Sequence, residues 1–142
     1  MSIGELLADI WLFSGMDSEH LEKLATFAFT KSFQTGETIL EKGRSGNGLY
    51  VIVSGQVEVV ETTQDEGERR LATLGPREFF GEMALLDDQP RSATVKALED
   101  TTCVGIDRWL FLSQLQRDPE ISISMLRTMA QRIRQADAKL SQ

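Results

Sequence analysis

The sequence predicts a mainly β fold with flanking helices, a β-roll with two helices before it and two after it, and three observations carry that prediction. Between Thr30 and Ile106, short β-type runs recur at close spacing, with Gly43, Gly46, Gly48 and Gly55 punctuating them. Apolar residues at helical intervals mark the two ends of the chain instead. The 142 residues are 41% hydrophobic and 26% charged, which suits one domain with one core.

Ser2 and Glu5 have the spacing of a capping box, and Ile3, Leu6, Leu7 and Ile10 follow at helical intervals, so a short helix opens the chain. Ser14-Gly15-Met16-Asp17 ends it. Asp17 or Ser18 then caps a second helix whose apolar face is Leu21, Leu24, Ala25 and Ala28. Residues 1–29 form this helical entry.

Residues 30–106 form the roll. Its strands are read at Thr38-Ile39-Leu40, Leu49 to Val53, Val57 to Val60 and Arg69 to Leu74, then at Val95-Lys96-Ala97 and Thr102 to Ile106. Ser54-Gly55 is a tight turn, Thr62 to Glu68 a polar loop, and Glu99-Asp100 an acidic turn. Residues 107–142 close the domain. Asp107 caps a helix over Arg108 to Gln116, and Asp118-Pro119 caps a long final helix with proline at its first position. Leu126, Met129, Ile133, Ala136 and Leu140 follow the three-four spacing of a helix-pair seam. That seam suits a homodimer and equally suits a lid on its own domain.

The formal charge of -7 argues against polyanions, DNA and anionic lipid surfaces, as direct partners. One cysteine, Cys103, and one histidine, His20, cannot build a zinc site of the usual multi-ligand kind, and no metal is expected. The lone cysteine fits a reducing compartment. With no basic leader, no small-residue cleavage site and no apolar stretch of about 18 residues, the expectation is a cytoplasmic protein without a membrane partner.

The chemically informative segment runs from Phe79 to Val95. Glu82 to Leu86 is too short for a stable independent helix, so its value lies in where its free N–H groups point. Such a turn offers an anion site, and Gly81 lets a ligand come close to the backbone. Arg91 is the one cation between Arg77 and Lys96, with a planar fork that matches two phosphate oxygens, and Ser92 adds a hydroxyl. A carboxylate at Glu82 can accept a hydrogen bond from a sugar hydroxyl. Phosphate plus sugar hydroxyl indicates a nucleotide.

The segment 80–95 resembles the phosphate-binding cassette of the cyclic-nucleotide-binding domain family, to which the catabolite activator protein and the regulatory subunits of cyclic-AMP-dependent kinase belong. The likeness takes in Gly36-Glu37, Gly43, Gly48 and Gly55 as well as the two closing helices, and so covers nearly the whole chain as a single domain, 1–142. It implies an eight-stranded roll holding cyclic AMP, with cyclic GMP left open because Ser92 stands where the family's threonine favours guanine. It further implies that Gly81, Glu82, Met83 and Ala84 form the binding turn. In it Glu82 takes the ribose 2′-hydroxyl and the Ala84 N–H joins Arg91 and Ser92 on the phosphate. Val59, Leu71 and Ala72 match the base side of the pocket, and Arg132, Ala136 and Asp137 match the region that caps the base. Ligand binding would draw the cassette inward and move the last helices.

Two departures stand out. Arg77 occupies a position where the family commonly has glycine, which strains the turn. The chain also stops at Gln142, where bacterial transcription factors of this family continue into a helix-turn-helix; no DNA-binding domain is expected, and an effector protein is. The resemblance implies a sensor rather than an enzyme, and the sequence lacks the His and Asp clusters of metal-dependent phosphoester hydrolysis. The competing reading is a ligand-free interaction module of the same fold. Plainer readings apply elsewhere: Cys103 is a small core residue, His20 faces solvent, Asp87-Asp88 is solvated, and Trp11 and Trp109 are packing anchors.

Overall fold

The computed structural model describes residues 2–43, 48–87 and 93–140. Helix α1 spans Ile3–Ala8, and the Ser2 hydroxyl accepts its Glu5 N–H at 3.1 Å. A 3₁₀ turn at Trp11–Phe13 precedes α2, Ser18–Ala25, which Asp17 caps by accepting the His20 N–H at 2.9 Å. Ala28 is not on the apolar face of α2; it begins strand β1 (Ala28–Phe33), so the roll starts before residue 30.

Seven further strands follow: β2 (Thr38–Leu40), β3 (Gly48–Ser54), β4 (Val57–Thr63), β5 (Gly67–Leu74), β6 (Phe79–Phe80), β7 (Thr94–Ala97) and β8 (Thr101–Asp107). They form two four-stranded antiparallel sheets ordered β1-β8-β3-β6 and β2-β7-β4-β5. The fold is the mainly β roll with flanking helices that the sequence predicts. The polar loop is shorter than expected, because β4 and β5 continue their pairing to Thr63 and Gly67.

Strand β3 explains how the layers join. Leu49 and Val51 face the helices, whereas Tyr50 and Ile52 face the roll interior, as period-two alternation requires. Both faces are covered from Gly48 to Ile52, where the side chains are apolar or aromatic, whereas Val53 and Ser54 at the end of the strand are exposed. In β8, Val104 and Ile106 join Leu49 and Val51, while Cys103 joins Tyr50 and Ile52. One core therefore lies between the sheets, around Phe33, Tyr50, Phe80 and Val95. The other lies between the first sheet and the helices, around Leu7, Ile10, Phe13, Leu85, Phe111 and Ile121. Cys103 is fully buried, and burial pushes its thiol up to about 11, in keeping with a core role.

Gly55 turns β3 into β4 with φ at 97°, and a Cβ there would meet the Asp100 carbonyl oxygen at 2.6 Å. Asp107 accepts the Leu110 N–H to cap α3, Arg108–Arg117, and α4 runs from Pro119 to Leu140. Trp109 is no packing anchor: it is 71% exposed on α3. No helix among the described residues is long and apolar enough to cross a membrane.

Candidate functional site: the cassette turn

The segment singled out by its sequence folds as a strand followed by a tight turn. Phe79–Phe80 pairs with Val51 and Tyr50 as β6, and Gly81 then adopts φ 85°, a left-handed conformation natural to glycine. That residue caps the N-terminal end of a 3₁₀ turn, Glu82–Leu85. Glu82 is half-buried, Met83 is 50% exposed, and Ala84 and Leu85 are buried. The Ala84 N–H donates to the Gly81 carbonyl at 3.1 Å, so the donor expected to meet a phosphate holds the turn closed. Arg91 and Ser92, together with Gly46 and Asp88, lie outside the described residues.

Two anchors fix the turn. Phe80 enters the roll interior and stacks on Tyr50, ring centroids 5.5 Å apart at 20°, and Tyr50 makes an edge contact with Phe33. Leu85, fully buried, points the other way into the core shared with Phe111 of α3 and Ile121 and Met125 of α4. The segment thus touches the roll-interior core and the helical core at once.

The residues matched to the base side lie on the second sheet. Val59 of β4 lies between Ala72 of β5 and Val95 of β7, and it packs on the roll-interior core. Leu71 is the extra residue of a bulge, since Val59 pairs with Ala72 and Val60 with Arg70. Leu71 is 48% exposed and Ala72 is exposed. The outer face carries the ion pairs Arg70–Glu58 at 2.8 Å and Lys96–Glu68 at 2.7 Å.

The three residues matched to the base cap lie along α4. The Arg132 guanidinium sits over the Trp11 ring at 4.3 Å, and Ala136 and Asp137 are on the exposed final turns. Arg77, flagged as standing in a glycine position, has φ 72°, the one positive value among the described non-glycine residues. Its N–H donates to the Ile52 carbonyl at 2.7 Å and its guanidinium pairs with Asp9 at 2.7 Å, which holds the strained turn against the end of α1.

Comparison with known proteins settles the relationship. The family model described as cyclic nucleotide-binding domain matches residues 30–118. This chain belongs to that family. It is 36% identical over 129 residues to the cyclic AMP receptor protein of Thermus thermophilus, covering 91% of this chain and 60% of that protein. A CRP-like cAMP-activated global transcriptional regulator of Mycobacterium tuberculosis is 31% identical, with 96% of this chain and 61% of the relative covered. Among solved structures, the N-terminal domain of a transcriptional regulator from Streptomyces coelicolor superposes with a TM-score of 0.86 at 30% identity, over 95% of this chain and 94% of that one. The chain spans about 60% of the length of those two curated relatives.

His20 escaped the sequence reading. Its side chain is only 14% exposed and lies among Asp17, Asp118 and Glu120, not out in solvent. The second helix and the start of the last are far apart in sequence, so no local pattern announces their meeting.

Proposed function

We propose that the chain is a sensor that binds cyclic AMP reversibly and carries out no chemistry on it. The observation that carries this reading is the cassette turn itself. A left-handed Gly81 opens a short turn whose Glu82 is half-buried and whose Leu85 is locked into the helical core. Glu82 would accept a bond from the ribose 2′-hydroxyl, and Arg91 and Ser92 would hold the cyclic phosphate. Val59, Leu71 and Ala72 would flank the base. Its relatives in Thermus thermophilus and Mycobacterium tuberculosis, named for cyclic AMP, support that choice of purine.

The Ala84 N–H gives this proposal a mechanism. It can bond the phosphate only by exchanging its Gly81 acceptor for a phosphate oxygen, so ligand entry alters the turn. Because Leu85 shares a core with Phe111, Ile121 and Met125, a changed turn shifts the seat of α3 and α4. For Arg132 to cover the base it must leave Trp11. The exposed Leu126, Ile133 and Leu140 would pair with a second copy, and an effector protein would read the rearranged helix.

A melting experiment tests the binding claim. A ligand at a hundredfold excess over its dissociation constant stabilises the folded state by roughly 2.7 kcal/mol, so cyclic AMP should raise the melting temperature. An unchanged transition at millimolar cyclic AMP and cyclic GMP would leave the ligand-free interaction module as the correct reading. Ser92→Thr should improve the cyclic GMP shift more than the cyclic AMP shift, and equal gains would remove Ser92 from purine choice.

A further inference from the structure

The His20 cluster lies apart from the cassette and the nucleotide reading does not use it. The His20 Nδ1 is 3.1 Å from the Asp17 carboxylate, while its Nε2 faces the Glu120 Oε2 at 3.3 Å and the Asp118 Oδ2 at 3.7 Å. One ligand atom from each of His20, Asp118 and Glu120 lies within 4.8 Å of the others. Asp17, His20 and Glu120, though not Asp118, line a cavity of about 550 Å³ between the start of α2 and the face of α4, together with Gly15, Ser124 and Thr128.

We propose that His20, Asp118 and Glu120 bind a zinc ion that fastens α2 to the first turn of α4. Three features lead there. With ligand bonds of about 2.1 Å, a tetrahedral zinc site has ligand–ligand edges of about 3.4 Å, and the two measured distances from Nε2 fall on either side of that value. The Asp17, Asp118 and Glu120 carboxylates all come within 3.7 Å of the imidazole nitrogens, a concentration of negative charge that a cation relieves. A carboxylate behind the histidine is also the arrangement that fixes the tautomer of metal-bound imidazoles.

Charge and access agree. Asp17, Asp118 and Glu120 face the histidine, whereas the nearby cations are Lys23, on Asp118 at 3.1 Å, and Arg127 on the cavity wall. Lys23 is 54% exposed and can swing into water, so it competes with the metal without blocking it. Glu120, at 80% exposure, completes the set from the solvent side.

The test is titration of the metal-free chain with zinc chloride by calorimetry, with cobalt as a spectroscopic substitute. One equivalent should bind, and the cobalt form should show the intense visible bands of four-coordination. His20→Gln and Glu120→Gln should each weaken zinc at least tenfold. Glu120 is exposed enough that its variant folds even where His20→Gln does not. Asp17→Asn retains a capping side chain and should cost roughly tenfold or more. Lys23→Gln should tighten binding, because it frees the Asp118 oxygen. Failure of zinc to saturate the protein, or equal affinity in wild type and Glu120→Gln, would overturn the proposal.

Discussion

At the scale of single residues, Arg77 sets a strained backbone against an ion pair. A left-handed conformation costs a non-glycine residue roughly 1–2 kcal/mol, while an exposed ion pair such as Arg77–Asp9 contributes about 0–1 kcal/mol. Arg77→Gly should therefore leave stability unchanged or raise it by up to about 1 kcal/mol in urea unfolding, and Arg77→Val should lower it. A loss above about 1 kcal/mol in Arg77→Gly would mean that the pair with Asp9 outweighs the strain. Asp100 offers a pH test. Its carboxylate accepts the Thr35 N–H at 2.9 Å and the Thr35 hydroxyl at 3.0 Å, and these bonds hold its pKa below the usual carboxylate range. The stabilisation is complete above the unfolded value, about 3.9, and disappears as pH falls through the lowered folded value. Asp100→Asn should thus lose less stability than wild type between about pH 5 and pH 2, as measured by denaturant melts, and parallel curves would contradict the assignment. Arg77 was legible in the sequence because a non-glycine residue there breaks an expected pattern. His20 and Trp109 were not, since a side chain's surroundings in a helical layer depend on contacts between elements distant in sequence.

Among the elements, the cassette turn matters most because it joins the two cores. Leu85→Ala should cost about 2–5 kcal/mol by opening a cavity in the shared core, and it should weaken cyclic AMP binding although Leu85 is fully buried. Full-strength nucleotide binding in a folded Leu85→Ala protein would separate the turn from its helical support. Motion of α4 has its own signal: with the exposed Trp109 replaced by Phe, the emission of Trp11 should change when cyclic AMP draws Arg132 off its ring, and constant emission would argue that Arg132 stays in place. The caps at Ser2, Asp17 and Asp107 were readable because capping is local chemistry. Strands β1 and β6 were harder to delimit. In β1 four consecutive residues are exposed, so little apolar alternation marks it, and β6 is two residues long. The bulge at Leu71 carries no glycine or proline to betray it. Its register becomes visible only once β4 and β5 are paired.

For the whole molecule, the two sheets, the shared helical core and the family relationship agree with a sequence pattern of β-runs between amphipathic ends. The turn after Gly81 was legible for the same reason as the caps, because Gly81 to Leu85 is one contiguous run whose shape is set locally. The exposed row Leu126, Ile133 and Leu140 bears on assembly. Leu126→Asp with Ile133→Asp should convert a dimer to a monomer in light scattering without lowering the melting temperature much, as both side chains are more than half exposed. A dimer that survives both changes would place the interface elsewhere. The central claim is that a cyclic phosphate is held by the cassette, and calorimetry with cyclic AMP on wild type and Arg91→Lys tests it most directly. The account predicts one site per chain in wild type and at least a tenfold loss in the variant, because an ammonium keeps the charge but cannot span two phosphate oxygens. Absence of binding to wild type, or equal affinity in the two proteins, would contradict it.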